Sequence, residues 1–175
     1  LEQAAKLSDK PNVRFAALLH DLGKGVTNSK AWPKHPGYER RGVALVQSLC
    51  QRGRVPVNYR RLAERVARYH GHAHRAFQLS SGAIVDLLKR IDAIRQPEGF
   101  DDFLLAVKAD ARGRPGYEQD PYPQADFLRA ALKAARDTAL DEITSSGLRG
   151  QDLALAIRDA RIQSVARVRS SFPKA

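Results

Sequence analysis

Apolar residues recur three and four positions apart through most of this chain, and strict alternation is scarce, so the pattern predicts an all-α fold. Leu1 to Ser8 reads as the end of a helix. Asp9-Lys10-Pro11-Asn12 reads as a turn, with Asn12 as an N-cap. Val13 to Leu22 is apolar on most sides and predicts a buried helix, stopped by Gly23 and Gly25. Val26 to Gly37 predicts a loop carrying Trp32, Pro33, His35 and Pro36. Tyr38 to Arg52 is amphipathic, with Val43, Leu45, Val46, Leu49 and Cys50 inward. Pro56 and Asn58 open a helix on Leu62, Val66 and Tyr69 that closes near Gly71. Ser80 or Ser81 caps a helix of Ile84, Val85, Leu87, Leu88 and Ile91. Phe100 to Ala111 predicts another buried helix, and Gly113 to Pro123 a loop. Ala125 to Ile143 predicts one long amphipathic helix. Gly147 and Gly150 bracket a turn before the last helix, Gln151 to Val168. The best internal boundary falls at the 113–123 loop, dividing a helical core (1–112) from a helical tail segment (113–175). No internal repeat is evident.

Composition narrows the class. Hydrophobic residues make up 43% of the 175 positions, so the chain can bury a real core. Cys50 is the single cysteine, which excludes an internal disulfide and a cysteine zinc cluster. It reads as a small core residue. No apolar run reaches membrane-spanning length and no signal peptide is visible, which suits a cytoplasmic setting. The chain lacks Met and starts in mid-helix, which reads as a piece of a longer protein. The formal charge of +11 calls for a polyanionic partner, nucleic acid first. The basic residues come in stretches: Arg52 and Arg54, Arg60 and Arg61, Arg112 and Arg114, and Arg158 through Arg169. A basic solvated surface without a specific partner is the alternative.

Candidate chemistry centres on His20-Asp21, delivered by the run Phe15 to Leu19 and followed by Gly23 and Lys24. A neutral imidazole and a carboxylate suit a divalent ion, and Lys24 places a point charge where a phosphate could lie. Neighbouring helix positions stand ~100° apart, so one ion held by both must straddle a helix edge and draw further ligands from elsewhere. Asp110 follows the apolar stretch Phe103 to Val107. It must meet a metal or pair with Arg112 or Arg114, since burying a free charge is costly. His35 is a phosphate contact or an exposed loop residue. His70 is a donor to the site or a cap on its helix end. His72 and His74 are expected to face solvent in the same loop, and the three histidines lack the spacing of a structural zinc site. Tyr117 and Tyr122 read as packing residues in preference to base-stacking ones. Arg112 and Arg114 could fork onto phosphate oxygens.

The order His-Asp, His, His and a distant Asp resembles the HD superfamily of metal-dependent phosphohydrolases. The blocks HDLGKG (from His20), WPKHPGYERRGVALVQSLCQRGRVP (from Trp32) and KADARGRPGYEQDPYPQADFLRAAL (from Lys108) resemble one branch more closely. That branch is the C-terminal part of bacterial multifunctional CCA proteins, tRNA nucleotidyltransferases with an appended HD domain. The likeness runs over nearly the whole chain, to the Ala156–Ile162 helix. It implies an HD helical bundle over 1–112 with a tail that packs on it or reaches toward tRNA. It implies a 2′,3′-cyclic phosphodiesterase, 2′-nucleotidase or phosphatase, with His20, Asp21, Lys24, His35 and His70 in catalysis and His20, Asp21 and Asp110 on the metal. Lys24, His35, Arg112 and Arg114 would contact phosphate. The family suggests nickel and magnesium, and the imidazole ligand favours Ni²⁺ or another transition metal over Mg²⁺. A further ligand histidine of the family lies upstream of Leu1. An acidic residue follows the second histidine in some relatives, where this chain has Gly71, which puts a second ion in doubt. Implied partners are tRNA or 2′-phosphorylated and 2′,3′-cyclic nucleotides, and the nucleotidyltransferase region of the parent protein, with a homodimer left open. The alternative is a non-catalytic tRNA-binding body and tail. A nucleotide hydrolase of another HD branch is a third reading.

Overall fold

The helices form where the apolar spacing is three and four, and the same stripes set which faces meet. Phe100, Phe103, Leu104 and Val107 lie on one stripe of a helix and are all buried. Leu62, Val66 and His70 recur every fourth residue of another and are buried as well. The computed structural model describes residues 1–172, and among them every regular element is helical. In chain order they are α1 (Glu2–Leu7), α2 (Pro11–Leu19), α3 (Tyr38–Arg52), α4 (Val57–His74), α5 (Ser81–Arg90), α6 (Phe100–Ala111), α7 (Pro123–Arg136), α8 (Asp141–Ser145) and α9 (Gly150–Arg169). Short 3₁₀ turns at Leu22–Val26, Ser29–Ala31, Ala76–Gln78 and Pro97–Gly99 fill connections. No helix among the described residues is long and apolar enough to cross a membrane.

Contacts gather the helices into two units. The first comprises Leu1–His74 and Glu98–Tyr122, the second Arg75–Pro97 and Pro123 onward. This differs from a division into 1–112 and 113–175. Helix α5 groups with α7 and α9, and the 113–122 loop stays with the first unit. In the first unit α4 is the central element, packed by α2, α3 and α6. Val13, Ala16, Val46, Ala63, Val66, Phe103 and Val107 close its core. Lys10 and Asn12 bond the buried Asp102 carboxylate, which fixes the start of α2 to the start of α6. In the second unit Ile84, Leu88, Phe127, Leu128 and Val165 are buried. Phe77 and Phe127 stack 5.3 Å apart. Arg158 of α9 makes two hydrogen bonds to Asp86 of α5, each 2.9 Å.

Three helix predictions are corrected. Helix α4 does not close at Gly71 but continues to His74. A lone glycine costs a helix only about 1 kcal/mol, and the buried Ala67 and Ala73 on either side hold it in place. The Glu39 carboxylate lies 2.8 Å from where a Cβ on Gly71 would stand. The expected long helix over 125–143 is two, α7 and α8, separated at 137–140. The Thr138 hydroxyl takes the Ala134 carbonyl at the end of α7, a local bond that competes with helix continuation. Helix α2 is shifted from the expected 13–22: it starts at Pro11, with Lys10 and not Asn12 at the N-cap position, and ends at Leu19 so that His20 is its C-cap.

Gly23 sets the approach of the 22–26 turn to α3. A Cβ there would stand 2.0 Å from the Tyr38 carbonyl oxygen and 2.6 Å from the Gly42 nitrogen. Both obstacles are backbone, so no side chain can swing aside. Gly37, at φ +69°, caps the start of the same helix. Gly23→Ala is expected to lower the unfolding free energy by about 1–3 kcal/mol through overpacking. Urea denaturation of the purified variant measures it.

Candidate metal centre

Three segments of the first unit bring the ionisable cluster together. The end of α2 supplies His20 and the residue after it supplies Asp21. Helix α4 supplies His70 and His74, four residues apart on the stripe begun by Leu62 and Val66. Helix α6 supplies Asp110, three residues beyond Val107 on its buried stripe. His20 Nε2 lies 3.3 Å from Asp21 Oδ2 and 3.1 Å from Asp110 Oδ1. His70 Nε2 lies 3.6 Å from Asp21 Oδ1. Ligand atoms of His20, Asp21 and His70 all fall within 4.8 Å of one another.

Hydrogen bonds behind the rings fix their orientation. His20 Nδ1 donates to the Ala17 carbonyl at 2.8 Å, and His70 Nδ1 to the Val66 carbonyl at 2.8 Å. Both histidines therefore present Nε2 to the cluster. The Tyr38 hydroxyl, 3.0 Å from His70 Nε2, donates to that nitrogen when His70 is neutral. Lys24 Nζ reaches Asp21 Oδ2 at 2.5 Å and sits 5.0 Å above the Tyr38 ring. Asp21 Oδ1 is buried and accepts no hydrogen bond.

Electrostatics follow from this packing. Burial opposes charge on His20, but hydrogen bonds from its ring to Asp110 and Asp21 outweigh burial, and its pKa is pushed up to about 10. Burial would raise Asp21, yet His20 and Lys24 hold it down at about 2. Burial is likewise overcome at Asp110, where His20 and His74 hold the carboxyl well below the usual range. His70 moves the other way, because burial disfavours its charged form and the charge on His20 adds to that. The cluster thus holds two ionised carboxylates, and a neutral His70 with its Nε2 lone pair inward.

The donor set fits a divalent cation. Carboxylate oxygens and imidazole nitrogens are its ordinary ligands. The orphaned Asp21 Oδ1 is an acceptor that a cation would satisfy, and the adjoining His70 Nε2 can join it there once the Tyr38 hydroxyl gives up its bond to that nitrogen.

The remaining sequence-predicted residues lie elsewhere. His35 stands against Trp32 with ring centroids 5.9 Å apart, at φ 44°. Its Nδ1 is buried without a hydrogen-bond partner, and no bond described joins it to the cluster. Arg112 Nε donates to the Asp120 carbonyl, and Arg114 is exposed. Neither arginine pairs with Asp110 among the described residues. The expectation that His74 faces solvent is corrected. His74 Nε2 lies 2.7 Å from Asp110 Oδ2, and the Tyr122 hydroxyl lies 3.0 Å from His74 Nδ1. Tyr122 is buried, as expected of a packing residue, but also bonded. Tyr38, His74 and Tyr122 were missed as site residues. The fourfold spacing Leu62, Val66, His70, His74 was the available signal, obscured by Gly71.

Comparison with known proteins gives the kinship. The HD domain family matches residues 1–94. The multifunctional CCA protein of Nitrosococcus oceani is 53% identical over 165 residues, covering 94% of this chain and 41% of that protein. That of Methylococcus capsulatus is 48% identical over 172 residues, covering 98% of this chain and 40% of the relative. That of Hahella chejuensis is 48% identical over 167 residues, covering 95% and 40%. The chain spans about two fifths of the length of these relatives. No solved structure matches it.

The pKa directions give a testable pH dependence with divalent ions chelated. The folded His20 pKa of about 10 exceeds the ordinary 6.5. Its stabilisation is therefore complete below about 6.5 and lost as pH rises through about 10. Asp21, held at about 2 against 3.8, stabilises above 3.8 and loses that as pH falls through about 2. Urea midpoints in EDTA are expected to fall from neutral pH toward about 10, and to fall less in His20→Gln.

Proposed function

This chain belongs to the HD domain family, and from that membership we propose that it is a metal-dependent phosphohydrolase module of a CCA-adding type of tRNA nucleotidyltransferase, acting on 2′-phosphate and 2′,3′-cyclic phosphate esters. The observation that carries the reading is that Asp21 and Asp110, from two separate segments, both approach His20 Nε2, while His20, Asp21 and His70 offer ligand atoms within 4.8 Å of one another. His20, Asp21 and Asp110 would hold the ion, with His70 Nε2 within reach of the same carboxylate. Ni²⁺ or another transition metal suits the imidazole ligands, and Mg²⁺ the carboxylates. When bound, the ion supplies Lewis-acid charge neutralisation at phosphorus and makes water a better nucleophile.

The chain's own residues do the rest. Ala17 and Val66 carbonyls hold the two imidazoles with Nε2 inward, so the ligand geometry is set before substrate arrives. Lys24, half-exposed beside Asp21, can turn its charge to a phosphoryl oxygen as charge builds in the transition state. Arg112, braced through Nε on Asp120, and Arg114 carry further positive charge on the segment that follows Asp110. His35, on the loop after Lys24, would contact phosphate or protonate the departing 2′- or 3′-oxygen. His70 is neutral and serves not as acid but as an orienting group while it accepts from Tyr38, or as a ligand when that bond is given up.

The formal charge of +11 supports a second reading, a tRNA-binding body in which these residues do no chemistry. The two readings part on substitution of the carboxylates. In the full-length protein with Ni²⁺, Asp21→Ala and Asp110→Asn are expected to lower hydrolysis of 2′-AMP and 2′,3′-cyclic AMP by more than the roughly 10–100-fold that outer-shell losses cost. Phosphate release measures it, and wild-type inactivity across several divalent ions would sink the hydrolase reading. tRNA affinity is expected to survive Asp21→Ala and to fall steeply with added salt, as counterion release requires. Filter binding across a salt series checks this.

A further inference from the structure

Resting on the cation reading above, we infer that His74 and Tyr122 are positioning residues that hold Asp110 in its ligating orientation. Asp110 stands at the end of α6 with its two oxygens divided. Oδ1 lies 3.1 Å from His20 Nε2 and Oδ2 lies 2.7 Å from His74 Nε2. An ionised carboxylate only accepts, so the hydrogen in the shorter contact belongs to His74 Nε2. In a neutral imidazole Nδ1 then carries a lone pair, and the Tyr122 hydroxyl, 3.0 Å away, donates to it. The reverse tautomer would set a nitrogen lone pair against the carboxylate. Tyr122 thus selects the tautomer, and His74 fixes the rotation of the carboxylate that leaves Oδ1 toward His20.

The brace draws on the end of α4 and on the 113–122 loop. His74 is the last residue of α4, one helical turn past His70. Tyr122 is the buried end of the 113–122 loop, edge-on to His74 at 5.7 Å. Arg112 ties that loop to the end of α6 through the Asp120 carbonyl. The loop with Pro115 and Pro121 therefore has work at the site through one hydroxyl.

The test compares Tyr122→Phe, His74→Leu and His74→Gln with wild type in the full-length protein, by calorimetric titration with Ni²⁺ and by thermal melting in EDTA. Phe keeps the packing ring and loses only the hydroxyl. Gln can still donate an amide hydrogen to Asp110, and Leu cannot. Ni²⁺ affinity is expected to weaken about 10–100-fold in Tyr122→Phe and His74→Leu. His74→Gln is expected to recover part of the loss, and Tyr122→Phe to melt near wild type in EDTA. Unchanged Ni²⁺ affinity in both Tyr122→Phe and His74→Leu overturns the inference. So does an equal loss in His74→Gln and His74→Leu, which would assign His74 to packing alone. A wild type that takes up no Ni²⁺ removes the cation reading itself, a failure distinct from either.

Discussion

Asp21 and Asp110 hold negative charge in a largely enclosed place, and that requires positive charge between them. Both carboxylates approach His20 Nε2, and both are kept ionised well below their usual range. Without another cation the burden falls on His20, which keeps its proton to about pH 10, and on Lys24. A divalent ion meets the same electrostatic need with a higher charge, and would release that proton on binding. The raised basicity of His20 and the fit of the cluster for a metal are thus two expressions of one excess of negative charge.

The scaffold serves that arrangement through a few close approaches. Helix α2 ends at Leu19, so His20 and Asp21 fall on a turn where adjacent side chains can reach one point. The side-chain-free Gly23 lets the 22–26 turn lie on the backbone of α3, which sets Tyr38 over His70. Helix α4 extends its apolar stripe into two histidines, and α6 extends its own into Asp110. Each apolar stripe pins the helix, and the polar residue at its end inherits that placement.

Much of this was legible in the chain itself. The bounds of α3 and α6 follow directly from their apolar spacing and flanking glycines. The apolar stretch Phe103 to Val107 placed Asp110 on a buried helix but left it open between a cation and an arginine; in the structure its Oδ1 lies 3.1 Å from His20 Nε2. The end of α4 was not legible, because Gly71 reads locally as a stop while the packing of Ala67 and Ala73 carries the helix through it. That error concealed His74, and with it Tyr122, whose hydroxyl matters only once His74 is known to be within the site. The break at 137–140 was hidden for a similar reason, since the apolar period continues across it while Thr138 takes a helix carbonyl. The grouping of α5 with α7 and α9 rests on contacts between residues distant in sequence, which a linear boundary at 113–123 does not register.

The central claim is that one cation joins these three side chains. Anomalous diffraction from crystals of the protein grown with Ni²⁺ tests it most directly. The account predicts a nickel peak bonded to His20 Nε2 and to carboxylate oxygens of Asp21 and Asp110. A map with no peak there, and His20 still bonded to both carboxylates, would contradict it.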